Sequence, residues 1–206
     1  MKKHLLILAG LVMIAGPITA QTPTPEELLA KIDAKLEAAN PYQALLNDPD
    51  PRRSLAAMEV MLESGDNDLA KMAIEFGLQS PNPQVQDIAL RGVLASRPAL
   101  NLSMDGSKID TPQFSNSILS WLKGSVDSQN IGSAQLLIGE YDEKQSCYTR
   151  RTDGACLFTL TTDGVILKID STLTTQMVLG PDGVLTGEGF LYNVGEPVPM
   201  RIRLMQ

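Results

Sequence analysis

Between Ala134 and Leu204 the sequence runs AQLLIGEY, CLFTLTT, VILKID, LTTQMVL, VLTGEGFL and VPMRIRL, stretches of six to eight residues separated by polar or glycine-containing breaks, all short but the first. Thr, Val, Ile and Leu dominate them, and that composition in runs of this length favours strands over helices. Asp163-Gly164 divides one pair of runs as a two-residue hairpin loop, and Gly180-Pro181-Asp182-Gly183 divides another. In the last run Val198, Met200, Ile202 and Leu204 alternate with Pro199, Arg201 and Arg203, the pattern of a half-buried strand. Successive hairpins predict an antiparallel meander, closed into a small barrel or folded as a sandwich.

The other half of the chain is punctuated differently. Thr24-Pro25, Asn40-Pro41, Asp50-Pro51 and Asn82-Pro83 each place a capping side chain before a proline. Such a side chain accepts from the free amides of a first helical turn, and proline at the next position has no amide to leave unpaired, so each pair predicts a helix start. Glu27 completes a capping box with Thr24. Helical spacing follows: Leu28, Leu29, Ile32, Leu36 and Ala39 form one stripe, Leu55, Met58, Met61 and Leu62 a second. Asp66 to Asp68 open a unit carrying Leu69, Met72, Ala73 and Phe76, and Val85, Ile88, Ala89 and Val93 stripe the last before Arg97-Pro98 stops it. Thr111-Pro112 repeats the device, predicting a short helix to Gly124 with Phe114, Ile118, Trp121 and Leu122 on its buried side.

PDPRRSLAAMEVML, starting at Pro49, overlays PNPQVQDIALRGVL, starting at Pro81, at a shift of 32 residues. Pro49 matches Pro81, Pro51 matches Pro83, Ala57 matches Ala89, Leu62 matches Leu94 and Ser64 matches Ser96. Over about residues 42–97 the chain resembles the HEAT-repeat family, whose units open with a turn of this kind. The resemblance implies paired antiparallel helices, Pro51–Ser64 with Asp66–Gln79, with Pro83–Ser96 beginning a second unit. It also implies a helical face that binds another protein. Repeats of this type normally stack three or more units, and this chain holds at most two, so something else must cover the array.

The first twenty residues, MKKHLLILAGLVMIAGPITA, have two lysines, an apolar run of about ten residues and a small residue at Ala20. They read as a secretory signal peptide cut near Ala20, the run being well short of the roughly 20 residues that span a bilayer. The expected destination is the periplasm or the exterior, with no transmembrane anchor. Of the formal charge of −7, Lys2 and Lys3 lie in the leader and no acid does, which leaves −9 on residues 21–206. So acidic a body disfavours nucleic acid as a partner. His4, the one histidine, departs with the leader. Ser-His and Cys-His nucleophile pairs and histidine zinc sites are thereby closed. Cys147 and Cys156, in an oxidising compartment, predict a disulfide that clamps a turn at Asp153-Gly154.

Weighed residue by residue, the candidate chemistry is thin. Asp48/Asp50 and Asp66/Asp68 lack the spacing of a calcium loop and suit helix caps. Glu140, Asp142 and Glu143 suit a solvated strand edge. Ser120-x-x-Lys123 puts hydroxyl and ammonium one turn apart, but Lys123 beside Gly124 suits a helix end, where the dipole favours a lysine that stays in water. Gly187-Glu188-Gly189 sits inside a strand run and makes no phosphate loop. Arg201 and Arg203 form one basic spot. Arg150 and Arg151, inside the clamped turn, form another and are the candidate partner contact.

These readings combine into an α+β expectation. Residues 1–20 are a leader, 21–98 a helical repeat-like part, 99–133 a linker with a short helix and 134–206 an antiparallel β domain. No catalytic, cofactor or metal set is assembled. The leading functional expectation is an exported, non-enzymatic protein that binds another envelope or extracellular protein. A small-ligand or glycan-binding barrel with a helical cap is the alternative. A carboxylate-dependent hydrolase is the weaker third, requiring two carboxylates facing each other across a cleft.

Overall fold

The structure is a computed structural model that describes residues 23–109 and 112–205. The leader and Thr111 of the Thr111-Pro112 helix start lie outside the described residues. The chain divides into two compact units, residues 1–41 and 42–206.

Helix α1 (Pro25–Leu46) begins with the expected capping box. The Glu27 amide donates to Thr24 Oγ1 at 3.2 Å, and the Thr24 amide donates to Glu27 Oε2 at 3.1 Å. The helix start expected at Asn40-Pro41 is not made, because Pro41 lies inside α1. Among the described residues the first unit holds only the part of this helix up to Pro41, whose stripe of Leu28, Leu29, Ile32 and Leu36 is exposed, while residues 42–46 belong to the second unit.

In the second unit, helices α2 (Pro51–Glu63), α3 (Asn67–Leu78) and α4 (Pro83–Ala95) start where their caps predict. Asp50, Asp66 and Asn82 each have extended backbone and accept from amides of the first turn. Adjacent helices pack, α2 on α3 and α3 on α4. Gly77 permits this: a Cβ there would lie 2.5 Å from Met58 Cε and 2.6 Å from Ala89 Cβ, too close for any other residue. No helix among the described residues is long and apolar enough to cross a membrane.

An antiparallel barrel follows, built from β1 (Ala99–Asp105), β2 (Ser125–Val126), β3 (Ile131–Asp142), β4 (Cys147–Arg150) and β5 (Cys156–Thr161). It continues through β6 (Gly164–Ile169), β7 (Leu173–Leu179), β8 (Val184–Leu191) and β9 (Val198–Arg203). From β3 to β9 each strand pairs with the next, β9 returns to β1, and β1 pairs β3 to close the ring, with the two-residue β2 at the side of β3. The barrel therefore starts at Ala99. The 99–133 segment, read from sequence as a linker with a short helix, supplies β1 and β2 as well as that helix, α5 (Pro112–Asn116) with a π-helical turn over Ser117–Trp121.

The inward positions are filled. Leu102, Met104, Phe158, Leu167, Met177 and Met200 are almost wholly excluded from solvent, as expected for an eight-stranded ring just wide enough for its own side chains. One end is covered by α3 and α4: Leu78 faces Gly183 in the β7–β8 turn, and Tyr148 Oη of β4 donates to Arg91 O of α4 at 3.3 Å. At the other end α5 and the π-turn act as a plug. Phe114 and Ile118 are fully buried against Gly106 and Gly132, where any Cβ would collide with them, and Ser117 Oγ donates to Tyr192 O at 2.7 Å.

Candidate functional site

The site begins with a strand that stops early. On one side β3 pairs β1 over residues 131–137; on the other it pairs β2 at 132–133 and β4 only from Ile138 onward. Residues 134–137 thus lack a neighbouring strand on that second side, and the barrel wall is breached there. The cause is local. After Arg150 the chain turns: the Gly154 amide donates to Arg150 O at 2.8 Å, with Gly154 at φ +73°, a conformation that suits the glycine of Asp153-Gly154. Arg151 then staples the turn to β3, its amide donating to Leu137 O at 2.9 Å and its Nε to Ile138 O at 3.1 Å. Since the Ile138 amide bonds toward β1 at Pro98 O and Leu137 O bonds the other way, alternation aims the Gln135 backbone N–H and C=O into the breach.

Behind the breach lies a pocket of about 390 Å³. Its floor is apolar, from Ala134, Leu136, Leu157 and Ile169. One rim is a three-residue ionic group. Arg150 Nε donates to Asp153 Oδ1 at 2.9 Å, while its Nη1 and Nη2 donate to Asp170 Oδ2 and Oδ1 at 3.1 and 2.9 Å. Hydrogen bonds that Arg150 donates to Asp153, then to Asp170, raise its pKa above the ordinary value; the Arg150 guanidinium beside Asp153, with the Ala155 amide, holds that carboxyl below the usual range. Arg150 is 21% exposed, but Asp153 and Asp170 are 47% and 57% exposed, so carboxylate lone pairs remain open.

The opposite rim is the end of the plug. Trp121, 57% exposed, meets Tyr192 edge-on at 5.7 Å between ring centres. Lys123 ends the plug at φ +54°, where Gly124 N donates back to Ile118 O at 2.9 Å. Asp170 also has positive φ, +47°. Two non-glycine residues in the left-handed region therefore line one pocket, a conformation that costs such residues about 1–2 kcal/mol each.

The sequence-derived candidates are dispersed. Cys147 and Cys156 stand at disulfide distance, with Cα atoms 5.7 Å apart, joining β4 to β5. Arg150 is brought to the pocket and held by its two carboxylates, and Arg151 is bonded to backbone carbonyls of Leu137, Ile138 and Arg97. Asp50, Asp66 and Asp142 cap turns, and Glu140 pairs Arg97. Ser120 Oγ donates to Asn116, not to Lys123. Arg201 and Arg203 lie on the outer wall, away from the breach. Among the described residues no three His, Cys, Asp or Glu side chains gather as a metal site.

Trp121, expected in the core, is the main correction. The π-turn adds a residue to the helical period, so a side chain three positions after Ile118 swings out of the buried stripe. Asp170 gave no signal, since its role depends on a pairing twenty residues away with Arg150. No protein-family signature, curated protein or solved structure matches this chain.

Proposed function

We propose that this chain is a non-enzymatic binding protein that takes a small ligand through the breach, with α3 and α4 of the HEAT-like helices closing the far end. A ligand enclosed at the centre of the barrel is not compatible with the filled interior. The observation that carries the reading is the pre-bonded Arg150, Asp153 and Asp170 rim above an apolar floor in a pocket of ligand size. An exported setting is supported by the leader-like N-terminal sequence and the cysteine pair.

The hydrolase reading fares poorly on the same residues. Asp153 and Asp170 converge on one guanidinium and face it together. Glycoside hydrolysis needs one carboxyl that keeps its proton near neutrality, whereas Arg150 pulls Asp153 the other way. Backbone amide NMR of the mature chain against a small-molecule library tests the proposal. Saturable shifts at 121–123, 134–137 and 150–153 support it; shifts confined to α2–α4 would defeat it.

Docking of another envelope protein is the second reading. Its specific support is the exposed stripe of Leu28, Leu29, Ile32 and Leu36.

A further inference from the structure

We infer that the ligand of the breach is a neutral polyhydroxylated ring, a saccharide, held between the Trp121 indole and the Asp170–Arg150–Asp153 rim; the inference rests on the small-ligand reading above. The charges of the pocket carry the first step. Its ionisable groups are Arg150, Lys123, Asp153 and Asp170, which sum to zero. An anion would be drawn by Lys123 but would meet two partly exposed carboxylates, and a cation would meet Lys123 and the guanidinium. Hydroxyl groups suffer neither conflict, because each both donates and accepts.

Donors and acceptors carry the second step. Asp153 and Asp170 offer open lone pairs, Lys123 offers N–H donors, and Gln135 aims a backbone N–H and C=O into the same space. The rim side chains are already fixed by one another, so binding hydroxyls requires little further ordering of them. Shape carries the third. A sugar ring has an apolar C–H face beside its equatorial hydroxyls, and Trp121 supplies a broad, half-exposed ring surface at the lip, steadied edge-on by Tyr192. A purely aliphatic ligand would use the floor but leave the polar rim unmatched.

Trp121 is the one tryptophan in the sequence, so tryptophan emission, excited selectively over the four tyrosines, reports on this lip alone. The mature chain is titrated with glucose, N-acetylglucosamine, cellotetraose and chitotetraose, and in parallel with glucuronate and dodecanoate. At least one neutral sugar is expected to shift the emission saturably. By calorimetry, Trp121→Ala and Asp170→Asn should each weaken that sugar by about tenfold, the effect of roughly 1.4 kcal/mol of lost contact. Trp121 is exposed, so its variant keeps the fold, and circular dichroism checks both variants.

If dodecanoate or glucuronate binds and no neutral sugar does, the saccharide class is overturned while the breach stands. If no probe binds, both readings fall. A neutral sugar that binds both variants as tightly as the parent also overturns the inference.

Discussion

Arg150 gathers two carboxylates on one guanidinium, and the consequence for Asp153 has a definite sign. Its folded pKa lies below the ordinary 3.8. The pairing therefore contributes stability above pH 3.8 and loses it as the pH falls from there through the folded value. Comparing thermal unfolding of the parent chain with Asp153→Asn, the parent should hold its advantage at about pH 6 and lose it on acidification to about pH 2.5. Lys123 is the other telling residue. It occupies a left-handed helix end that glycine would occupy at less cost. Lys123→Gly should leave unfolding stability unchanged or raise it by up to about 1 kcal/mol while weakening ligand binding, the trade-off expected where a side chain serves binding over stability. Neither Lys123 nor Asp170 stands out in the sequence, because positive φ and a distant ion pair leave no mark on local composition.

Among elements, caps were the most legible feature. Asp50, Asp66 and Asn82 each sit where a side-chain acceptor was expected, since capping is a contact between near neighbours. Asp66 accepts from two amides, and Asp66→Ala should cost about 1 kcal/mol in chemical denaturation. Pro41 misled because a proline in a helix looks like one that starts it. The six strand runs after Ala134 match β3 and β5 to β9, but β1 was missed although Leu100, Leu102 and Met104 alternate; the Asp105-Gly106 break directly after them disguised a strand as a loop. β4 was hidden inside the cysteine-flanked turn. The plug depends on Gly132, and Gly132→Ala should destabilise by about 1–3 kcal/mol by forcing Ile118 out of place, measured as a lower denaturation midpoint.

For the whole molecule, the antiparallel meander was readable from turn residues, but its closure was not. That step pairs β1 with β3 and β9 with β1, and a pairing between distant segments follows from the shape of the whole sheet. The breach is a product of the same scale: it exists because β4 ends at Arg150 while β3 runs on beneath it. The bond between Cys147 and Cys156 ties β4 to β5 beside that gap. Reducing it should lower stability by roughly 2–3 kcal/mol on the chain-entropy account. Denaturation with and without dithiothreitol measures this.

With a helical lid at one end and Phe114 and Ile118 wedged into the other, the cylinder has no axial doorway among its described residues. A ligand of the kind proposed would have to pass through the flank. Entry and departure can then proceed without moving either lid, so the rate of exchange would be governed by a few side chains at a porthole and not by opening of the fold.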